Sequence, residues 1–327
     1  MPRTRLLTAA VLAAAAFTGS AHATTAPAPA KPTKGVVIVT TNLAYENASA
    51  AGTGIVLTKS GEVLTNNHVI RGATTITVIL PATGKRYTAS VLGYDIADDV
   101  ALIKMSGASG LTVATRGNSA TLKIGTKTTA VGNANGGGRL VITKGTVTGL
   151  NRTITVNDDQ GGQSQLSGLI ETSARLVPGD SGGPLLDAAG RVIGMDAAGS
   201  ATFAFQTSDG YAIPINKAIT LVKQMEAGQA SSLVHIGKTA FIGMNVADAA
   251  AGGVSVQSVV PNLPAANAGI AEGDVITALD STSVNTTDDL RAALFTHHPG
   301  DSVTVYFTDP LGNQTSAQIV LADGPPQ

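Results

Sequence analysis

Gly179-Asp180-Ser181-Gly182-Gly183-Pro184, followed by Leu185-Leu186-Asp187-Ala188-Ala189-Gly190-Arg191-Val192-Ile193, is the stretch on which the reading of this chain turns. Two apolar runs flank a polar, glycine-containing turn after the serine, which is a hairpin pattern rather than the start of a helix. A serine hydroxyl is a poor nucleophile until a base takes its proton. The oxyanion that forms on attack needs N–H donors aimed at it. Glycines beside the serine allow a sharp turn in which neighbouring amides converge on one spot. The candidates for such an oxyanion hole are Gly179, Asp180 and Ser181. In isolation the same hexapeptide also reads as a glycine-rich turn holding an ordinary serine.

A nucleophilic serine requires a base. Of the five histidines, His22 lies in an N-terminal apolar segment, His235 in a linker, and His297 and His298 in a C-terminal module. That leaves His68, in Leu64-Thr65-Asn66-Asn67-His68-Val69-Ile70, at the end of an apolar run where a scaffold can present a functional side chain. A third group must orient the imidazole and stabilise its cation. Asp158 and Asp159 precede Gln160-Gly161-Gly162 and read as a solvated loop, and Asp95 belongs to a turn. Asp99 leads directly into Val100-Ala101-Leu102-Ile103, at the mouth of a buried strand, with Asp98 as the competing choice. The order His68, Asp99, Ser181 is that of the chymotrypsin arrangement. Gly179–Gly183 also matches G-x-S-x-G, but α/β-hydrolases order their triad Ser, Asp, His and launch a helix after the serine.

Composition sets the outer limits. The chain has 327 residues, 43% hydrophobic and 13% charged, so it is long enough for two domains and apolar enough to bury their cores. A formal net charge of -1 gives no electrostatic reason to expect nucleic acid or an anionic membrane as partner. The absence of cysteine excludes disulfides, thiol catalysis and cysteine-ligated metals. No cofactor and no metal is expected: adjacent His297 and His298 point apart and belong to a solvated turn. Gly132 to Gly138 lacks the Gly-Lys-Ser/Thr of a phosphate loop and reads as a surface turn.

Residues 1–23 carry a basic start (Arg3, Arg5), a twelve-residue apolar run (Leu6 to Phe17) and Ala21-His22-Ala23, the pattern of a cleaved signal peptide. The run is too short to span a bilayer, which needs about 20 apolar residues. Residues 24–35 are Pro/Ala-rich and extended. Residues 36–226 hold short β-branched runs separated by glycine-rich turns, the mark of an all-β barrel or sandwich. They close on a helix in which Ile215, Ile219, Val222 and Met225 share a face and Gly228 is the stop. Residues 227–235 read as a linker. Residues 236–324 form a compact α+β module, with a helix from Thr287 through Leu290, Ala293 and Leu294 to Phe295.

The segments AGTGIVLTKSGEVLTNNHVIRGA (51–73), DDVALIKM (98–105), VPGDSGGPLLDAAGRVIGM (177–195), YAIPI (211–215) and VHIGKTAFIGMNV (234–246) resemble the HtrA (Deg) family of trypsin-like proteases with a PDZ domain. The resemblance covers nearly all of the chain beyond residue 23. It implies an all-β double barrel of the chymotrypsin kind followed by a small α+β PDZ domain, with His68 as base, Asp99 as its orienter and Ser181 as nucleophile. It implies a secreted serine endopeptidase acting on unfolded or misfolded proteins; a PDZ-bearing chaperone or scaffold with a latent protease domain is the alternative. Where the family mostly has Asn before the serine, this chain has Asp180, expected to accept hydrogen bonds from nearby loop amides. The primary pocket is expected between Leu176 and Val177 before the nucleophile and Met195, Asp196 and Ala197 after it, with an apolar preference. Phe241-Ile242-Gly243-Met244 resembles the carboxylate-binding loop of PDZ domains, with Leu290 and Leu294 on the opposite wall, so C-terminal peptides are the expected partners. Relatives often form trimers through N-terminal aromatic residues. Thr24 to Ala44 has none, so either a monomer or a homotrimer is expected.

Overall fold

The computed structural model of the chain describes residues 33–157, 163–197 and 210–327. The expected signal segment, most of the tether, and Asp158 and Asp159 lie outside them. Strands β1 (Val36–Leu43), β2 (Ala48–Val56), β3 (Glu62–Thr65), β4 (Thr75–Ile79), β5 (Arg86–Asp95) and β6 (Val100–Met105) pair in the order β5-β4-β1-β2-β3-β6, and β6 returns to β5 to close a barrel. A single helical turn, α1 (Asn67–Ile70), follows β3. Strand periodicity sends alternate residues to opposite faces. Val37, Val39, Val63, Ala101 and Ile103 belong to one apolar cluster within this barrel. Their neighbours Val36, Leu64, Val100 and Leu102 join a different cluster, shared with the second barrel. The runs are apolar on both faces because both faces are covered.

The second barrel repeats the order of the first. Strands β7 (Lys127–Gly132), β8 (Val141–Asn157), β9 (Gln163–Thr172), β10 (Pro184–Leu186), β11 (Val192–Asp196) and β12 (Gly210–Pro214) close as β10-β11-β12-β9-β8-β7. Helix α2 (Ile215–Glu226) covers the seam between barrels with Ile215, Ala218, Val222 and Met225, the face expected from its periodicity except that Ala218 takes the place of the half-buried Ile219. Closed antiparallel barrels have no open edge, and the His68 and Ser181 loops leave equivalent places in the two strand orders.

The segment expected as a linker ends differently. Residues Val234 and His235 belong to β13 (Val234–Ile236), which pairs with Asp95, Tyr94 and Gly93 of β5, and both are 2% exposed. Its alternation of apolar residues is too short to announce a strand.

The C-terminal module contains β14 (Thr239–Phe241), β15 (Met244–Asp248), β16 (Val254–Val259), α3 (Pro264–Asn267), β17 (Val275–Leu279), β18 (Thr282–Ser283), α4 (Thr287–Phe295), β19 (Ser302–Thr308), β20 (Gln314–Val320) and β21 (Ala322–Gly324). Its main sheet runs β15-β16-β17-β19-β20, with β15 at the edge, and β14 pairs with β21. The cap of α4 is Thr286, one residue before the expected Thr287; it forms a reciprocal capping box with Asp289.

This module is docked on the first barrel. Phe295 of α4 joins the cluster within that barrel, its ring 5.9 Å from Tyr94. His235 stacks on His298 and packs at a tilt against Tyr94 and Phe295, with ring nitrogens 3.0 Å from the carbonyl oxygens of Phe295 and Lys238. After β21 the chain returns to the protease side: Gly72 N–H donates to Pro326 O at 2.9 Å, and Asn67 Nδ2 donates to Gln327 O at 2.9 Å.

Candidate active site

Thr65 ends β3, Asn66 stays extended, and the chain then makes the single turn α1. Val69 and Ile70 are buried and anchor that turn, which fixes the direction of His68. Asp99 stands in the tight connection between β5 and β6 with φ +54°, a left-handed conformation that aspartate tolerates better than most residues. That reversal aims its carboxylate back at α1. Oδ2 of Asp99 lies 2.7 Å from His68 Nδ1, and Oδ1 accepts the backbone N–H of His68 at 2.9 Å. Asn66 Nδ2 holds the Asp99 carbonyl at 2.9 Å. Both side chains of the pair are 8% exposed, so water screens their interaction little. An ionised carboxylate only accepts, so this contact assigns the proton to Nδ1 of the imidazole. The competitor Asp98 pairs instead with Lys217 at 2.6 Å.

Ser181 lies in the connection between β9 and β10, with its backbone carbonyl accepting Thr53 N–H at 2.8 Å. A Cβ placed on Gly52 would sit 2.7 and 2.8 Å from the methyl groups of Val69 and 3.1 Å from Ser181 O. The turn carrying His68 and the loop carrying Ser181 therefore meet over one α-carbon.

The loop around the serine is held by its carbonyls. Pro178 O accepts Asn135 N–H at 2.6 Å, and Asp180 O accepts Gly183 N–H at 2.9 Å. A trans peptide directs its N–H opposite to its C=O, so these two bonds turn the amides of Gly179 and Ser181 away from Asn135 and Gly183. The expectation that Asp180 shares the oxyanion hole is corrected: its N–H donates to Val177 O at 3.0 Å, inside the loop itself. Gly179 and Gly182 have φ +95° and +82°, and a Cβ at either would come within 2.2 Å of a backbone oxygen, of Asn133 and Thr53 respectively. No other residue type fits there.

The Asp180 side chain does take the expected loop amide, accepting Val177 N–H at 3.0 Å. Gly132 makes room for it, since a Cβ there would lie 2.4 Å from Oδ1. Burial pushes this carboxyl up to about 6. Asp196 is fully buried with neither oxygen hydrogen-bonded among the described residues. Burial first, and the nearby Asp180 second, push its carboxyl well above the usual range.

The expected primary pocket is corrected in part. Leu176 and Val177 are half-buried before the nucleophile loop. Met195 is entirely enclosed in the apolar cluster at the barrel seam, and Asp196 is equally inaccessible. Ala197, at 2% exposure, offers almost no surface either. Successive residues of β11 point to opposite faces, so Met195 enters the apolar seam while Asp196 faces the buried Asp180.

In the C-terminal module, Phe241, Ile242, Gly243, Met244, Leu290 and Leu294 line one cavity of about 230 Å³, together with Pro325, Pro326 and Gln327. Gly243 has φ +86°, and a Cβ there would lie 2.4 Å from Leu263 Cβ. Among the described residues β15 pairs with β16 alone, so its other backbone edge faces the groove beside α4.

Sequence reasoning missed Thr53, Gly132, Asn133 and Asn135, all of which brace the serine loop. The run 132–138, expected as a surface turn, begins with the buried Gly132 and Asn133. The repeated asparagine between glycines was the available signal, since asparagine and glycine supply turn conformations and local hydrogen bonds that a plain surface loop does not require.

The trypsin-like peptidase domain family matches residues 52–195 and the PDZ domain family matches residues 240–308. The Serine protease Do-like HtrA of Lactococcus lactis is 33% identical over 293 residues, 84% of this chain and 71% of that protein. The Serine protease PepD of Mycobacterium tuberculosis is 33% identical over 314 residues, 89% of this chain and 64% of its own. The Periplasmic serine endoprotease DegP of Escherichia coli is 34% identical, over 78% of this chain and 54% of that protein. Among solved structures, the HtrA-type protease AlgW with tripeptide aligns over 90% of this chain and 95% of its own, with a TM-score of 0.51 and 26% identity.

Proposed function

This chain belongs to the HtrA family of trypsin-like serine proteases that carry a PDZ domain, and on that premise we propose that it is a secreted endopeptidase with Ser181 as nucleophile, His68 as base and Asp99 as the group orienting the imidazole. The observation that carries this reading is the double contact of Asp99 with the ring and backbone of His68, at 2.7 and 2.9 Å, beside the Ser181 loop.

With its proton on Nδ1, His68 presents Nε2 as the base. It takes the hydroxyl proton of Ser181 as Oγ attacks the scissile carbonyl carbon. The nearby Asp99 carboxylate stabilises the imidazolium that forms. The amides of Gly179 and Ser181 hold the negative oxygen of the tetrahedral intermediate. His68 then protonates the leaving amine, the C–N bond breaks, and an acyl-enzyme remains. Water attacks that ester with His68 again as base, releasing the acid and restoring Ser181.

The substrates are unfolded or exposed protein segments, in which an extended chain can bring its scissile bond to the Ser181 hydroxyl. The PDZ groove takes a peptide C-terminus as an added strand along β15. The apolar run and small-residue end of residues 1–23 support export.

Labelling with an organophosphorus serine reagent, mapped by peptide mass, is expected to modify Ser181. Casein cleavage is expected from the wild type and not from Ser181→Ala. Equal cleavage by both proteins would remove Ser181 as nucleophile. Cleavage by neither, with a PDZ peptide present, would favour a latent scaffold.

A further inference from the structure

We propose that Thr53 is a positioning residue for catalysis: its hydroxyl, reaching across from the first barrel, holds the oxyanion loop in its working conformation. The inference rests on the reading of Gly179 and Ser181 as the oxyanion amides. Gly179 has φ +95° and no side chain, so the loop has no conformational preference of its own at the position where an amide must point at the substrate. Its direction is set by the two carbonyls that flank the residue. Pro178 O is held by Asn135 N–H at 2.6 Å, and Gly179 O is held by Thr53 Oγ1 at 2.7 Å.

The same hydroxyl also controls the first of these fixings. Thr53 Oγ1 accepts Asn133 N–H at 2.9 Å, which seats the turn that carries Asn135. A threonine hydroxyl donates once and accepts twice, so one oxygen can serve both sides. Thr53 N–H adds a third tie, to Ser181 O at 2.8 Å, and its own carbonyl is fixed by Thr65 Oγ1 at 2.7 Å. Thr53 is 0% exposed, so water cannot replace any of these bonds when the hydroxyl is lost. Residue 53 is thus the point where the first barrel, which carries His68 and Asp99, holds the loop of the second barrel, which carries Ser181.

Thr53→Val keeps the shape and the backbone bonds and removes only the hydroxyl; Thr53→Ser keeps the hydroxyl. On a peptide substrate, Thr53→Val is expected to lower kcat by about 10- to 100-fold with KM within about twofold. Affinity for a peptide aldehyde, whose adduct with Ser181 carries the same oxyanion, is expected to fall by the same factor, and Thr53→Ser to recover most of both. Thr53→Ala makes the comparison with Thr53→Ser should the valine variant fail to fold. Wild-type kcat in the hydroxyl-free variant, or a loss confined to KM, or equal impairment of the serine variant, would overturn the proposal. Ser181→Ala run alongside separates the two readings: if it still cleaves, the assignment of the nucleophile has failed, whereas an inactive Ser181→Ala with a fully active Thr53→Val sinks the role of Thr53 alone.

Discussion

At the scale of single residues, Asp99 and Asp180 show how position sets the task of a carboxylate. Asp99 is fixed by contacts to both the ring and backbone of His68. Asp99→Asn is expected to lower kcat by about 10⁴-fold with little change in KM, because the amide no longer selects the Nδ1–H tautomer; steady-state kinetics on one peptide checks this. Asp180 faces the opposite way, into the protein, with its carboxyl raised by burial to about 6. Between the unfolded carboxylate range near pH 4 and about 6, the folded state holds a proton that the unfolded chain has released. Stability therefore falls as pH rises through that window, and the cost is complete above it, on the order of 3 kcal/mol. Asp180→Asn keeps an acceptor for Val177 N–H and cannot ionise. It is expected to flatten this part of the stability–pH curve, measured by urea denaturation at pH 4.5 and 7.5. An unchanged slope would show that Asp180 is not its source.

At the scale of elements, function depends on short connections held by strands on both sides. Helix α4 depends on its cap: Thr286 Oγ1 accepts Asp289 N–H at 3.2 Å, and Asp289 Oδ2 accepts Thr286 N–H at 3.0 Å. Thr287 N–H is in turn held by Asp248 at the end of β15, at 2.7 Å, so the cap also ties the two walls of the groove. Thr286→Ala is expected to cost about 1 kcal/mol of stability and to weaken binding of a C-terminal peptide several-fold while leaving casein cleavage by the protease domain intact; titration calorimetry with a hydrophobic hexapeptide reads the loss of binding. The helix and its approximate start were legible because cap, charge and apolar spacing all lie within nine residues. Strand β13 was not, because three residues of alternation carry no signal apart from their partner β5.

At the scale of the whole molecule, the two barrels share an apolar seam, and the PDZ module is joined to the first barrel by more than its connection. Phe295 packs into that barrel's cluster, beside Tyr94 and His235. Phe295→Ala is expected to cost about 3–5 kcal/mol at this contact and to uncouple the domains. Calorimetry would then show two unfolding transitions in place of one, and a single retained transition would mean the docking does not depend on this ring. The catalytic candidates and the division into β-rich and α+β units could be read from residues 51–73, 98–105, 177–195 and 234–246, since a nucleophile, its base and its glycine turn must be particular residue types in a particular order. Chain order alone could not place His68 against Asp99 or bring Thr53 and Asn135 to the loop of Ser181. Those approaches arise when two barrels close and press their seams together, joining atoms more than a hundred residues apart in the case of Thr53 and Gly179. Burial likewise moved Met195 and Asp196 from an expected pocket into the interior and turned His235 from a connection into a domain joint. Local chemistry is written in residue type and spacing, whereas long-range hydrogen bonds and burial depend on which surfaces meet, and only the folded chain decides that.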